Sequence, residues 1–365
     1  MVQIGELVQS RYQVVKVIGE GGFGRIFEIA DKSDHHKRKV LKVLNLERFS
    51  DEATREKVIN LFIREAEILK ELSSSANSHQ LAIPKVEPDG YFINQQDSSH
   101  CLVMEKIIGK NLNQIINQKL MGWPCYQPIS EQRAINWLKQ LIGIIGEIHQ
   151  RNFSHRDIKP ANIIERYNGK LVLIDFGAVK QYTSTYLASI GEQEAGTQII
   201  SPGYTPDEQA DGFPEPRSDF FALGRTFVHL LTGIHPNDFL VTNDSTIPMN
   251  QNIQLTSSFR WRDKATDISD SFANLIDRMM EDNIENRFRN TQEIKDELAA
   301  IENENKRNPW YRCQYLESLL PKGSVPLLVW TNLLLIFIVT GSVCLRLSVP
   351  SQPPSNNLLR SQYNQ

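Results

Sequence analysis

The stretch HRDIKPAN, at residues 155–162, contains side chains of the types that phosphoryl transfer requires. Asp157 provides a carboxylate, Lys159 a cation and Asn162 an amide, and the apolar run LVLI further along is followed by Asp175. Transfer from a nucleotide needs metal ligands, a carboxylate near the incoming hydroxyl and a cation near the transferred group. Either aspartate alone could be a loop cap, but the four residues together favour a chemical role.

A cluster of glycines near the N-terminus is a second candidate element. GEGGFG places Gly19, Gly21 and Gly24 in the pattern G-x-G-x-x-G, and glycine allows the backbone to approach a phosphate closely. A dinucleotide-binding loop would be followed by a helix, whereas RIFEIA alternates apolar and polar residues like a strand. The pattern predicts two strands joined by a glycine-rich loop, which is either a plain hairpin or a phosphate-binding one.

A lysine and a glutamate in apolar surroundings are predicted to pair. Lys42 lies in the apolar strand KVLKVL, and Glu65 lies within the apolar stripe of the helix EATREKVINLFIREAEILKEL. A buried charge is costly unless an opposite charge neutralises it, so Glu65 requires a basic partner, and Lys42 is the candidate. A simple surface ion pair is the alternative for Glu65.

Together these motifs resemble those of the eukaryotic-type protein kinase family, over roughly Tyr12 to Ile301. The resemblance implies that Asp157 orients the substrate hydroxyl and accepts its proton, and that Lys159 stabilises charge on the transferred phosphate. It also implies that Asn162 and Asp175 hold Mg²⁺, for which Mn²⁺ could substitute.

The same resemblance assigns an ATP site to the glycine-rich loop, the lysine and glutamate pair, and the strand CLVMEKI. Lys42 is expected to hold the α- and β-phosphates, with Glu65 as its partner. Met104 resembles the gatekeeper, and the Glu105 carbonyl and the Ile107 backbone are expected to meet adenine. The residues implied in nucleotide binding are Ile18, Gly19, Gly21, Gly22, Phe23, Gly24, Ile26, Lys42, Glu65, Met104, Glu105 and Ile107.

Other residues resemble structural positions of the family. Glu208 and Arg287 resemble an ion pair, and Asp219 resembles the aspartate that braces the catalytic loop. Ser201 stands where a threonine is common, and SPGYTPDEQ has Pro-Asp-Glu where the family usually has Ala-Pro-Glu. Arg156 resembles an arginine that binds phosphate, which predicts autophosphorylation within residues 183–189.

The order of the predicted elements indicates an α+β protein with two lobes. Strand patterns dominate before Gly109 and helical patterns after it, as in EQRAINWLKQLIGIIGEIH, DFFALGRTFVHLLTG, SFANLIDRMM and TQEIKDELAAI. We therefore expect a protein kinase domain at residues 12–302, with an N-lobe of about 12–105 and a C-lobe of about 109–302. A juxtamembrane linker at 303–323 would follow.

An apolar segment near the C-terminus predicts a transmembrane helix at residues 324–347. No charged residue or histidine occurs between Ser324 and Leu345, and about 20 such residues cross a bilayer, although a buried core helix is the alternative. Trp330 and Arg346 resemble interfacial anchors. Four basic residues shortly before the segment against two after it predict a single-pass cell-membrane protein with a cytoplasmic kinase domain. The tail 348–365 is predicted to be disordered.

Composition excludes several other classes of protein. The formal net charge is −3, from 40 Lys and Arg against 43 Asp and Glu, so nucleic-acid binding is not expected. The four cysteines show no C-x-x-C spacing, which argues against a zinc ribbon or a disulfide framework. The N-terminus lacks the basic and apolar regions of a secretory signal peptide.

Two alternative functions remain beside a kinase of protein serine and threonine residues. A pseudokinase scaffold would bind partners without catalysis, and a small-molecule kinase would phosphorylate compounds such as antibiotics or choline. The complete set of catalytic residue types argues against the scaffold. The intact HRDIKPAN motif and the long segment from Asp175 to Glu208 argue against the small-molecule kinase. IKPANII and GYTPDEQ are similar to bacterial, particularly cyanobacterial, membrane-bound kinases, in which a homodimer could favour mutual autophosphorylation.

Overall fold

A computed structural model describes residues 2–21, 24–74, 81–120, 123–177, 180–181, 200–239, 259–265 and 267–307. The described part has a strand-rich N-lobe and a mainly helical C-lobe, so the expected two-lobed α+β arrangement is confirmed. Gly22, Phe23, the predicted acceptor segment 183–189 and the predicted membrane span 324–347 lie outside the described residues.

Within the described ranges, no helix combines the length and the apolar character that crossing a bilayer demands.

The N-lobe is built on a six-stranded antiparallel sheet and one long helix. The strand order is β1-β2-β3-β4-β6-β5. The strands are β1 Leu7–Val8, β2 Tyr12–Gly21, β3 Gly24–Asp31, β4 Lys37–Leu44, β5 Val86–Ile93 and β6 His100–Glu105, and the helix is α1 Glu52–Ser74. The sequence did not reveal β5, because its VEPDGYFI lacks clean alternation and its pairing with β6 contains a register shift.

Successive side chains of strand β4 point to opposite faces of this sheet. Leu41 and Val43 point to a small core formed with other N-lobe strands, and Lys42 points to the opposite face because successive strand residues alternate. On that face α1 buries its apolar stripe, including Phe62 and Leu69. The strand period and the helix period together bring Lys42 toward α1.

The C-lobe is organised around a buried helix. Its helices are α2 Leu112–Ile116, α3 Glu131–His149, α4 Asp207–Ala210, α5 Pro216–Thr232, α6 Asp270–Met279 and α7 Thr291–Arg307. Its strands are β7 Gly109–Asn111, β8 Asn117–Leu120, β9 Trp123–Tyr126, β10 Phe153–Ser154, β11 Ile163–Arg166, β12 Leu171–Leu173 and β13 Lys180–Gln181. Helix α5 is buried along almost its whole length, so it forms the centre of the lobe.

Local signals define where α5 begins and ends. Glu215 and Ser218 form a reciprocal capping box, and Pro216 occupies the first turn, where its missing N–H costs nothing. The helix ends at Gly233, whose φ of +72° is a left-handed conformation that glycine adopts without strain. These caps place Asp219 in the first turn of α5, where it is buried and contacts His155 and Arg156.

A buried polar network at the far end of the N-lobe sheet gives a pH prediction. Asp31 accepts hydrogen bonds from Arg11 (2.9 and 2.6 Å) and from Lys39 (2.7 Å), and Lys39 also lies 2.7 Å from Glu87. The Arg11 hydrogen bond, opposed by burial and aided by Lys39 and Ser33, holds the pKa of Asp31 well below its usual range.

We expect Asp31→Asn to lower the free energy of unfolding by about 2 kcal/mol at neutral pH. A carboxylate with a depressed folded-state pKa stabilises the fold above its unfolded pKa, so this difference should shrink as the pH falls below about 4. Urea unfolding at pH 7 and pH 3 tests this, with exposed Asp89→Asn as the control. A difference that stays constant or grows on acidification would contradict the prediction.

Candidate active site

The carboxylate of Asp219 binds the start of residues 155–162, here called the catalytic loop. Its Oδ2 accepts hydrogen bonds from the backbone N–H of His155 (2.9 Å), the Ser154 hydroxyl (2.9 Å) and the His149 ring (2.8 Å). Its Oδ1 accepts from the backbone N–H of Arg156 (2.8 Å). Burial alone would raise the pKa of Asp219, but these donors lower it, so the carboxylate stays charged.

The backbone at Arg156 adopts a left-handed conformation, with φ of +65°. A side chain other than glycine there stores about 1–3 kcal/mol of strain. Asp219 binds the Arg156 N–H, and the Gln209 side chain donates to the Arg156 carbonyl at 2.9 Å. The surrounding C-lobe therefore maintains this conformation immediately before Asp157. No sequence signal pointed to Gln209.

Asp157 is the centre of a compact polar cluster. Its Oδ2 accepts from the Asn162 side-chain amide at 2.8 Å. Its Oδ1 accepts from the Ser201 hydroxyl at 2.6 Å and lies 2.9 Å from the Lys159 ammonium. Lys159 in turn donates to the Ser201 oxygen at 2.9 Å. The structure thus brings together Asp157, Lys159 and Asn162, as expected, and adds Ser201 from a distant part of the chain.

The predicted pairing of Lys42 with Glu65 is present in the structure. The Lys42 ammonium lies 2.9 and 2.7 Å from the two Glu65 oxygens and 3.2 Å from Asp175 Oδ1. Burial would lower the pKa of Lys42, but the charges of Asp175 and Glu65 raise it above its usual value. Lys42 likewise lowers the pKa of Asp175. Because Glu65 is almost completely buried, the surface-pair alternative is wrong.

Asp175 and the residues beside it lie tightly against this ion cluster. Asp175 has φ of +66°, and a Cβ added at Gly177 would lie about 3.4–3.5 Å from the charged atoms of Glu65, Asp175 and Lys42. Phe176 is buried and meets the His155 ring edge-on, with 4.9 Å between ring centroids. These contacts join the catalytic loop to the N-lobe ion cluster.

The glycines of the loop between β2 and β3 divide into two kinds. A Cβ added at Gly24 would lie 2.0 Å from the Val43 carbonyl oxygen, so strand packing requires glycine there. At Gly21 the added atom would meet nothing within 4 Å, and at Gly19 it would meet only Ile26 at 3.7 Å. Among the described residues, packing does not demand glycine at those two positions, so the space that a side chain would fill is open to a ligand. This observation fits a phosphate-binding loop.

Arg48, which the sequence did not single out, contacts this loop. Its guanidinium donates to the Gly21 carbonyl at 2.7 Å and pairs with the Glu20 carboxylate. The contact depends on the turn after β4, and no local sequence pattern could have indicated it.

The charged and polar side chains gathered in this site suit a nucleotide with its metal ion. Lys42 supplies a cation held by carboxylates, and Asn162 and Asp175 supply side-chain oxygens. Mg²⁺ prefers oxygen ligands and is usually bound through one or two protein groups together with substrate phosphates. The residues present therefore fit Mg²⁺ with ATP.

The fold and this site define a protein kinase. A model of the protein kinase domain family matches residues 12–298, so the chain belongs to that family. The expected bacterial, cyanobacterial-type serine/threonine kinase domain is confirmed by the relatives described next.

The chain is similar to several curated bacterial kinases. It is 33% identical over 295 residues to serine/threonine-protein kinase PknA of Nostoc sp., and this match covers 80% of this chain and 48% of the relative. It is 31% identical over 296 residues to serine/threonine-protein kinase D of Synechocystis sp., covering 80% and 53%. PrkC of Bacillus subtilis is 28% identical over 235 residues, covering 64% and 32%. The chain thus spans about half the length of the first two relatives.

We expect Lys42→Met to lower kcat/KM for ATP by about 10²- to 10³-fold, because it removes the cation from the ion cluster. Methionine keeps the apolar stem, so the effect should be electrostatic. Steady-state phosphate transfer at varied ATP provides the measurement, and exposed Lys57→Met on the adjacent helix is the matched control. Loss of no more than threefold would show that Lys42 does not serve the nucleotide.

Proposed function

We propose that this protein is a serine/threonine protein kinase that transfers the γ-phosphoryl group of ATP to hydroxyl groups of protein substrates. The observation that carries the proposal is the Asp157 cluster. The Asp157 carboxylate accepts a hydrogen bond from the Ser201 hydroxyl at 2.6 Å and lies 2.9 Å from the Lys159 ammonium. This contact supports Asp157 as the proposed base, because a hydroxyl lies within hydrogen-bonding distance of its carboxylate. Family membership supports the same conclusion.

Each proposed catalytic side chain takes the role that the family resemblance implies, and its contacts support that role. Asp157 orients the substrate hydroxyl and accepts its proton, while Lys159 offsets charge beside it. Asn162 and Asp175 would hold Mg²⁺, which neutralises phosphate charge when bound. Lys42 would bind the α- and β-phosphates.

The described strand residues among the other proposed ATP-site positions lie in the N-lobe sheet. Gly19 and Gly21 offer accessible backbone, and Ile26 pairs across β3 and β4 with Lys42. Met104 pairs with Val40, and Glu105, the last paired residue of β6, pairs with Lys39. Their positions support the adenine site proposed for Met104, Glu105 and Ile107.

The function is tested by incubating the full chain in detergent with ATP and Mg²⁺. Mass spectrometry of generic protein substrates and of the chain itself should find phosphoserine and phosphothreonine. Transfer only to a small molecule such as choline would favour the small-molecule kinase, and ATP binding without any transfer would favour the scaffold.

We also propose autophosphorylation within residues 183–189. The buried Arg156, adjacent to Asp157, supports the idea because a guanidinium binds phosphate through two parallel hydrogen bonds. Mass spectrometry of active protein should find phosphate in this segment. A fully active protein with the segment unmodified would eliminate the idea.

A membrane anchor at residues 324–347 is a further part of the proposal. It rests on the uncharged apolar run in the sequence, and it implies a cytoplasmic kinase domain in which neighbouring copies could phosphorylate each other. The full chain should sediment with membranes and resist carbonate extraction. Recovery as a soluble monomer would overturn it.

A further inference from the structure

The connection between the lobes, residues 105–108 and here called the hinge, carries two adjacent charged side chains that bind opposite lobes. Glu105 ends β6, and its carboxylate accepts from Arg166 of the C-lobe at 2.8 Å. Lys106, the next residue, donates to Glu28 of N-lobe strand β3 at 2.7 Å. The side chains of two consecutive hinge residues therefore form ion pairs with opposite lobes.

The C-lobe contact follows from strand register. Strand β11 pairs with β7 immediately after the hinge, with Arg166 opposite Gly109. The two strands approach so closely that a Cβ at Gly109 would lie 2.1 Å from the Glu165 carbonyl oxygen. The Arg166 side chain then reaches back past this anchored point to Glu105. Backbone pairing thus sets where the guanidinium meets the hinge.

The N-lobe contact lies on the face of the sheet that carries the proposed ATP site. Ile26 pairs with Lys42 and Glu28 pairs with Val40, so Glu28 shares the face of Lys42 at the hinge end of the strands. Glu28 is buried, with its side chain 8% exposed, whereas Lys106 is 27% exposed. The pair is therefore partly shielded from solvent and from salt.

Glu28 does not need Lys106 to neutralise its charge. Lys16 and Arg38 also lie near its carboxylate, at 3.4 and 3.7 Å. Removing Lys106 would leave two cations beside Glu28, so the fold should tolerate the loss. Lys106 differs from these two cations because it links strand β3 to the hinge.

We propose that the Lys106–Glu28 and Glu105–Arg166 ion pairs are positioning contacts that hold the hinge in the geometry that binds the adenine end of ATP. The proposal deepens the proposed kinase function and rests on it for the identity of the nucleotide. Arg166, Lys106 and Glu28 act through the hinge and are not catalytic residues.

The test measures ATP affinity of the full chain directly by calorimetry, without turnover, together with kcat and both KM values. Lys106→Met and Arg166→Met should each weaken ATP binding by about three- to fivefold, the upper range for partly exposed pairs. The KM for a protein substrate should not change. Exposed Lys110→Met, next to the hinge, is the matched control.

Charge reversal distinguishes positioning from simple structural damage. Lys106→Glu should weaken ATP binding more than Lys106→Met does, because it places a second carboxylate against the buried carboxylate of Glu28. Arg166→Lys, which keeps the positive charge but not the planar guanidinium, should bind ATP with intermediate affinity. Thermal unfolding of every variant confirms that the comparison is between folded proteins.

Two results would overturn the inference. One is ATP affinity within 1.5-fold (roughly 0.2 kcal/mol) of the parent in both methionine variants, and the other is Lys106→Glu binding ATP no more weakly than Lys106→Met. If the parent binds ATP but transfers no phosphate, the proposed function fails while the affinity comparison still decides the hinge inference.

Discussion

Asp157→Asn is expected to lower phosphate transfer by about 10³-fold while leaving ATP affinity within a factor of two (about 0.4 kcal/mol) of the parent. The substitution preserves shape but removes the negative charge and the proton acceptor. The Asp157 oxygens accept hydrogen bonds from Asn162 and from Ser201. The asparagine amide would place an N–H donor against one of these donors. The loss should therefore appear in kcat.

Steady-state kinetics and calorimetric ATP binding on the full chain provide the measurements. Asp211→Asn, at an exposed aspartate after α4, is the matched control and should behave like the parent. If Asp157→Asn keeps more than about a tenth of the parent kcat (1.4 kcal/mol in barrier), Asp157 is not the base. An equal loss in ATP affinity would indicate a nucleotide-binding role instead.

Arg287→Met is expected to destabilise the C-lobe by about 3–5 kcal/mol, since it leaves a partly buried carboxylate without its cation. Arg287 is 1% exposed and binds Glu208 through two nitrogens at 2.7 and 3.2 Å. Its Nε also donates to the Glu281 carbonyl at 2.6 Å, and its guanidinium lies 4.9 Å from the Phe221 ring centroid. The side chain thus connects α4, α5 and the loop before α7.

Thermal unfolding should show a fall in Tm of roughly 10 °C. Exposed Arg289→Met, two residues away, should change Tm by little. The double variant Arg287→Met with Glu208→Met should recover part of the loss, because replacing both charges leaves no unpaired carboxylate. A single variant as stable as the parent would show that the pair contributes nothing net.

Ser201 shows how the structure changes the interpretation of a residue. In the sequence it is a serine where the related kinases commonly have threonine, and one of several hydroxyls that could accept phosphate. In the structure its hydroxyl is held between Asp157 and Lys159. It therefore links the end of the activation segment, residues 175–208, to the catalytic loop.

The sequence alone determined the class of fold and the chemical types in the site, because both depend on local patterns. Helical and strand periods predicted α1, α3 and the strand bearing Lys42, and burial of a charge within an apolar stripe predicted the Lys42–Glu65 pair. HRDIKPAN and Asp175 supplied the proposed catalytic side chains, because these short segments match motifs of the protein kinase family.

Tertiary structure alone decided which distant groups support these side chains. The Gln209 contact with Arg156, the Ser201 contact with Asp157 and the hinge pairs of Lys106 and Arg166 join residues far apart in the chain. Such contacts leave no periodic pattern, because strand register and the packing around α5 bring them together. A polar residue that is ordinary in the sequence acquires its role only when folding places a partner within hydrogen-bonding distance.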